Sequence, residues 1–465
     1  MAAAIDTDYL IAGTGAMGMA FADVLLDETD ADIVMVDRHA KPGGHWNDAY
    51  PFVTLHQPSS FYGVSSLELS KGRKDKIGLN AGLQELATGA EVSAYFEEVM
   101  RRKFLPSGRV RYFPMSEYQG NHQFASTLTG EDYTVDVRRK FVNATYLNTS
   151  VPSTHTPAFS VANGVRFMPL NALPKVADAP AGYVVIGGGK TGIDAVIWLL
   201  EQGVNPDTIR WVMPRDAWLI NRRKTQTSIE FFEETIGGQA DQMQAIAEAS
   251  DLQDLFLRLE QAEVMFRIDR DVEPKMFHGA TVSPLELEQL RRIKHIVRLG
   301  RVSAIEPDRI VFEQGELPTG PDQLHIDCSA SAITNLEMVP IFDGDTITPQ
   351  TVRSYQPVFS AALIAHVEAS YETEAEKAAL CQVVPLPNHV EDWPRMTAAF
   401  MMNQYNWGQD KNLREWMRSN RLDGFSELTS SYDRDDETKR AIMQRLRAHM
   451  MPAMANLQKM MAAQG

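Results

Sequence analysis

Tyr9-Leu10-Ile11-Ala12-Gly13-Thr14-Gly15-Ala16-Met17-Gly18-Met19-Ala20-Phe21-Ala22 joins an apolar run to a helix-like stretch through three glycines spaced GxGxxG. That spacing is common by chance and gains meaning only between a strand and a helix. Both flanks are present here. The apolar positions continue through Val24-Leu25-Leu26 at a spacing that suits a helix lying on a sheet, and Ile33-Val34-Met35-Val36 reads as a second strand ending at Asp37. In such a unit Gly13 serves the tight turn, Gly15 admits a pyrophosphate close to the backbone, and Gly18 allows close helix–strand packing. The helix start at Ala16 and Met17 faces the anion with free amides. Asp37 follows Gly13 by 24 positions, near the ~20-residue separation at which a carboxylate accepts hydrogen bonds from an adenosine ribose. Arg38 follows it and is grouped with the same site.

A second unit has the same layout. Tyr183-Val184-Val185-Ile186 leads into Gly187-Gly188-Gly189-Lys190-Thr191-Gly192, an apolar helix-like run follows, and Ile209-Arg210-Trp211-Val212-Met213 is the next strand. This strand passes into Pro214-Arg215 instead of ending in an acid. An arginine there attracts a 2′-phosphate that a carboxylate would repel, so NADPH is expected over NADH; a solvated surface arginine is the alternative. Lys190 and Thr191 stand at the helix start, within reach of phosphate oxygens. The chain is therefore expected to be α/β, with two Rossmann-like dinucleotide-binding domains.

The 465 residues, 44% hydrophobic and 23% charged, suffice for two to three domains. A formal net charge of −16 argues against nucleic acid or an anionic membrane surface as a partner, since both select basic patches. No apolar run is long enough to span a bilayer, and the N-terminus lacks the pattern of a signal peptide, so a cytoplasmic protein without an integral membrane segment is expected. Cys328 and Cys381 form no CxxC, hence no local dithiol centre. No metal site is expected, and a homo-oligomer remains open.

After Asp37 comes Gly43-Gly44-His45-Trp46-Asn47-Asp48-Ala49-Tyr50-Pro51, then Leu55-His56-Gln57-Pro58. The double glycine leaves room for a bulky ligand, and Trp46 and Tyr50 present flat surfaces with polar handles. The order GxGxxG, acid, GGxW, YP, second GxGxxG resembles the class B flavoprotein monooxygenases, the flavin-containing and Baeyer–Villiger enzymes, over roughly the first half of the chain. The resemblance implies that the first fingerprint holds FAD, that Gly44, His45, Trp46 and Asn47 lie beside the flavin, and that the second fingerprint holds NADPH. It places His56 and Gln57, the expected catalytic residues, at the reactive flavin edge, where these enzymes carry an asparagine. It further implies hydride transfer from NADPH to flavin, then oxygen insertion from molecular oxygen into a small organic substrate at nitrogen, sulfur or a ketone carbon. The family's FxGxxxH ahead of the second fingerprint is not met: Val165-Arg166-Phe167-Met168-Pro169-Leu170-Asn171-Ala172-Leu173 has neither the glycine nor the histidine. Two alternatives accordingly stay open, an NADPH-dependent flavin reductase or oxidase of a quinone-like acceptor, and a non-catalytic cofactor-binding protein.

These readings divide the chain at 1–160 for the first part of the FAD domain, with a small β-insert formed by Val110–Phe113 and Tyr133–Val137. The NADPH domain follows over 161–330, with a helical insert at about 228–298 that either caps the cofactor groove or widens the domain. Residues 331–380 return to the FAD domain. Within them Asp343-Gly344 favours a hairpin turn over a ribityl-binding glycine–aspartate pair. Gln356-Pro357 opens an apolar helix whose N-terminus either supports negative charge on a reduced flavin or is simply buried. The remainder, 381–465, is helical and rich in methionine, suited to a core or an apolar substrate pocket.

Overall fold

In this computed structural model, which describes residues 3–330 and 337–464, each glycine turn connects a buried strand to a helix. The first sheet places β1 (Ala3–Ala12) between β2 (Ile33–Val36) and β6 (Asp132–Asn143), with β3 (Val110–Phe113) beyond β2 and β20 (Thr346–Ile347) beyond β6, all parallel. Burial alternates over Ala4–Thr7 and becomes continuous from Tyr9 to Ala12, as expected of a parallel strand covered on both faces. One face carries α1 (Ala16–Glu28), α2 (Gly89–Val99) and α7 (Pro357–Ser370). Every residue of α7 from Val358 to Val367 is buried, which makes it an interior helix apolar on all sides. The other face is closed by the hairpin β4 (Ser116–Gly120) and β5 (Gln123–Ser126), where Phe124 stacks on Tyr133.

Two strand assignments differ from expectation. Val110–Phe113 joins the parallel sheet through β2 and not the antiparallel hairpin. Tyr133–Val137 and Phe141–Asn143 belong to one long strand, β6, whose pairing with β1 shifts register between Thr7 and Tyr9. Besides β1, the strand pairs with β5 at its start and with β20 near its end, so one strand serves both the hairpin and the parallel sheet. The Asp343-Gly344 reading as a turn matches the structure: β19 (Phe342–Asp343) pairs antiparallel with β20 around Gly344 at φ +57°.

The second sheet is fully parallel, in the order β14 (His295–Val297), β10 (Ile209–Val212), β9 (Gly182–Ile186), β18 (Gln323–Asp327), β8 (Phe167–Pro169). Helices α3 (Lys190–Glu201) and α6 (Pro284–Leu290) cover one side. A small sheet of β7 (Ser160–Val161), β15 (Val302–Ile305), β16 (Arg309–Phe312) and β17 (Gly315–Pro318) covers the other, with Ile305, Ile310 and Phe312 against Val184, Ile186 and Val212.

The region expected as a helical insert contains α4 (Phe232–Glu248) and α5 (Leu252–Gln261), then β12 (Met265–Phe266) and β13 (Thr281–Val282), which flank β11 (Leu219–Asn221). Its helices pack with α9 (Trp393–Gln409) and α12 (Glu437–Gln464) around Trp218, Phe256 and Trp393. The shorter helices α8 (Glu374–Leu380), α10 (Lys411–Ser419) and α11 (Ser426–Ser431) connect this layer. The start of the expected return segment, 331–336, lies outside the described residues. Among the described residues no helix is long and apolar enough to cross a membrane.

Candidate cofactor turns and a shared cavity

Gly13 adopts φ +96°, and a β-carbon there would lie 2.9 Å from Thr145 Cγ2; one on Gly18 would lie 2.1 Å from the Gly13 carbonyl oxygen. Only hydrogen fits at either position, so α1 starts close against the strand end. Gly15 caps α1 without any side-chain hydrogen bond, which leaves the first-turn amides of Ala16 and Met17 with their positive end free for an anion. The second loop meets this turn directly. Gly43 N–H donates to the Thr14 carbonyl at 2.8 Å, and a β-carbon on Gly44 would stand 2.8 Å from Gly15 Cα.

Asp37 is buried beneath the turn. One carboxylate oxygen accepts from Thr14 N–H at 2.5 Å and Thr14 Oγ1 at 2.8 Å; the other accepts from His39 N–H and pairs with His39 Nδ1, both at 2.8 Å. His39 Nε2 reaches Asp48 at 2.8 Å. Burial pushes the Asp37 carboxyl up, but the hydrogen bonds from His39 and Thr14 outweigh it and hold the group below its ordinary range. His39 shifts the opposite way, raised by Asp37 and Asp48 against its burial. Tyr112 stands beside Thr14 and Asp37, its hydroxyl buried and within hydrogen-bonding influence of Thr14. Arg38 and Asn47 are exposed, Asn47 donating to the Lys41 and Gly44 carbonyls. Trp46 donates to Tyr62 Oη at 2.7 Å and stacks on His45, whose burial pulls its pKa down to about 4.

At the second turn Gly187 adopts φ +136°, with space for a β-carbon closed by the Cys328 carbonyl; Gly192 is closed by the Gly187 carbonyl. Gly189 caps α3 without a side chain and faces open space. Thr191 lies half-buried in the first turn. Lys190 pairs along the helix with Asp194, whose other oxygen accepts from Tyr50 Oη at 2.6 Å. Arg215 leaves the end of β10 and donates to Asn388 Oδ1 at 2.9 Å, beside His389 and His278. Among the described residues it has no carboxylate partner within ion-pair distance. Burial and nearby Arg301 lower its pKa.

His56 lies within charge range of Lys190 at the second turn, and the adjacent Gln57 lines a cavity. Burial and the positive charges of Lys190 and Arg222 hold the His56 ring well below its ordinary pKa, so it is neutral at pH 7. Its carbonyl accepts from Arg222 Nε at 2.9 Å. Gln57 lines a cavity of about 320 Å³, and so does Gln356 at the start of α7. The remaining wall comes from β11, β12, α4, α9, α11 and α12, from Lys224 and Thr225, and from the turn 353–356. This turn is held by Ser360 Oγ, which accepts from the Val352 and Arg353 amides and donates to the Gln356 carbonyl. Arg353 anchors it from below, 3.0 Å from Asp423 and 3.9 Å over the Phe359 ring. Tyr355 occupies left-handed backbone at φ +62°, a conformation that costs a bulky residue about 1–3 kcal/mol.

The expected site residues thus fall in three groups. Gly13, Gly15, Ala16, Met17, Gly18, Asp37, Arg38, Gly44, His45, Trp46 and Asn47 surround the first turn; Gly187, Gly189, Lys190, Thr191, Gly192 and Arg215 surround the second, with His56 beside Lys190; Gln57 and Gln356 share the cavity. Sequence reasoning missed His39, Tyr112, Arg353, Tyr355 and Trp393. His39 alone had a visible signal, its position two residues after Asp37.

No protein-family description matches the chain. Solved structures similar to it include a flavin-containing monooxygenase from Stenotrophomonas maltophilia, 13% identical with a TM-score of 0.43 over 78% of this chain and 97% of that one. An open form of cyclohexanone monooxygenase is 14% identical, with a TM-score of 0.44 over 81% and 91% of the two chains. The bacillithiol disulfide reductase Bdr from Staphylococcus aureus is 11% identical, with a TM-score of 0.45 over 79% and 100%. Much stronger sequence similarity links the chain to uncharacterized protein Rv2000 of Mycobacterium tuberculosis and uncharacterized protein Mb2023 of Mycobacterium bovis. Each is 48% identical over 427 residues, which cover 91% of this chain and 79% of the relative. The chain belongs to the same protein family as these mycobacterial proteins.

Proposed function

We propose that the protein is an FAD- and NADPH-dependent oxidoreductase, a monooxygenase that inserts one oxygen atom from molecular oxygen into a small organic substrate. The observation that carries this reading is the position of His56-Gln57. His56 feels the charge of Lys190 at the second glycine turn, and the adjacent Gln57 lines a cavity that also reaches the N-terminus of α7. The segment His56-Gln57 would link a donor seated on the second turn to this cavity, whose lining includes no residue of either glycine turn.

The residues present fit both cofactors. The uncapped start of α1 and the glycine-only contact of Gly15 with Gly44 suit an anionic adenine dinucleotide on the first sheet. Gly189, open above α3, and Arg215, without a carboxylate partner, suit NADPH on the second. When bound, the flavin supplies hydride acceptance and oxygen chemistry. The protein's part is orientation and exclusion of water: Gln57 and Gln356 offer amide groups at the cavity wall, and neutral His56 places no cation there. Arg353 and Asp423 cancel each other's charge below the turn.

A thiol-based reductase is disfavoured, because Cys328 and Cys381 are both buried and burial pushes both thiols up, away from the reactive thiolate. Turnover with isotope-labelled dioxygen tests the proposal. Incorporation of label into an organic product in step with NADPH consumption supports it; conversion of all consumed oxygen to hydrogen peroxide, across a panel of candidate substrates, refutes the monooxygenase assignment.

A further inference from the structure

Asp37 has no acceptor capacity left for a ligand. A carboxylate offers about four lone-pair sites, and four protein donors fill them. Thr14 N–H at 2.5 Å and Thr14 Oγ1 at 2.8 Å take one oxygen, His39 N–H and His39 Nδ1, both at 2.8 Å, the other. The Asp37 side chain is 5% exposed. A ribose hydroxyl arriving at the first turn would have to displace one of these donors and leave it unpaired, a loss comparable to the bond it forms. The spacing from Gly13 points to a ribose ligand, and the hydrogen bonds point to another task.

His39 carries the connection onward. Its Nδ1 lies 2.8 Å from Asp37 and its Nε2 2.8 Å from Asp48. Ionised carboxylates only accept, so both ring nitrogens donate, and a histidine that donates from both is the imidazolium. Asp48 ends the short helical turn Gly44–Asp48. At the opposite end of this loop Gly43 N–H donates to the Thr14 carbonyl at 2.8 Å. Thr14, Asp37, His39 and Asp48, with the loop back to Gly43, therefore form a closed ring that seats the loop on the glycine turn. The same corner is tied toward the second sheet, because the Asp48 carbonyl accepts from Ser153 Oγ at 2.7 Å and from Asn171 Nδ2 at 2.8 Å.

We propose that Asp37 is a positioning residue and not a ribose ligand, and that the charged Asp37–His39–Asp48 bridge fixes the loop carrying His45, Trp46 and Asn47 on the first turn, so that FAD is held firmly only while His39 is protonated. This rests on the reading that the first turn holds FAD. Neutral His39 keeps a single N–H, so one of the two carboxylates then faces a lone pair and the ring opens. The other titratable groups nearby do not replace it. His45 lies within charge range of His39, Tyr112 stands beside Thr14, Lys41 is turned to Glu97 at 2.8 Å, and Arg38 is exposed.

The test measures FAD affinity of the purified holoprotein, by flavin fluorescence on dilution, between pH 6 and pH 9. Wild-type affinity is expected to fall about three- to tenfold over this range as one charge-assisted bond is lost. His39→Gln is expected to be weaker by a similar factor at pH 6 and to show no slope. Asp48→Asn is expected to weaken FAD to the same degree, and the double variant no further than either single one, since both changes break one ring. Asp37→Asn is compared on FAD and on the analogue lacking both hydroxyls of the adenosine ribose; the ratio of the two affinities is expected to match that of the wild type. The proposal is overturned if Asp37→Asn abolishes a wild-type preference for FAD over that analogue, if His39→Gln and Asp48→Asn hold FAD as tightly as the wild type, or if the pH slope survives in His39→Gln. Bound FAD that NADPH does not reduce would contradict the oxidoreductase reading and leave this bridge standing, whereas a protein that holds no FAD would overturn both.

Discussion

Arg353→Met removes the cation beneath the cavity turn while retaining most of its bulk. The guanidinium donates to Asp423 Oδ2 at 3.0 Å, the Asp423 carbonyl at 3.2 Å and Gln356 Oε1 at 3.2 Å, and it stacks on Phe359. Asp423 is 2% exposed, so the variant leaves a carboxylate in the interior without its counter-ion. Breaking one side of such a pair costs about 3–5 kcal/mol. Asp423 keeps three other donors, Phe425 N–H, Ser426 N–H and Ser426 Oγ, which places the expected loss near the lower end, about 3 kcal/mol. For a unit of 150–250 residues this is a fall in Tm on the order of 6–12 °C. Scanning calorimetry on Arg353→Met, Asp423→Asn and the double variant measures it. The neutral amide at 423 removes the stranded charge, so the double variant is expected to recover part of the loss. A fall of less than about 1 kcal/mol in Arg353→Met, the range of an exposed pair, would refute the claim that this ion pair holds the turn.

His39 gives a pH signature. Its folded pKa is raised by Asp37 and Asp48, so its stabilising contribution is full below the unfolded value of about 6.5 and is lost as pH rises through the folded pKa. The difference in Tm between the wild type and His39→Gln is expected to shrink from pH 6 to pH 9 in a series of thermal melts; a difference that grows contradicts the ion-pair geometry. Arg215→Ala is expected to raise KM for NADPH about tenfold and leave that for NADH nearly unchanged, in line with the loss of one charge-assisted contact. Steady-state kinetics with both nucleotides decides, and equal effects on the two would dismiss the 2′-phosphate role.

The two glycine turns were legible because their determinants are local: strand, glycines and helix follow one another directly in the chain, and only hydrogen fits at Gly13, Gly18, Gly187 and Gly192. The hairpin at 343–346 was readable for the same reason. Strand partnership was not, since Val110–Phe113 has the same apolar pattern whether it pairs in a hairpin or at the edge of a parallel sheet, and β2 decides between them. The cavity was least accessible. Gln57, Ile220, Met243, Tyr355, Trp393 and Met450 come from six separated segments, and no spacing rule joins them. The engagement of Asp37 was only partly legible: the spacing to His39 was visible, but a carboxylate at a strand end reads alike whether its oxygens are free or already accept from Thr14 and His39.

On the proposed function, two nucleotide cofactors, one on each glycine turn, exchange a hydride beside Gln57. Anaerobic titration of the purified, FAD-loaded protein with NADPH, followed by its visible spectrum, tests this most directly. The expected result is a yellow protein whose oxidised-flavin absorbance bleaches as NADPH is added and returns on admission of air. Failure of the protein to hold FAD, or a flavin that stays oxidised under excess NADPH, would contradict it.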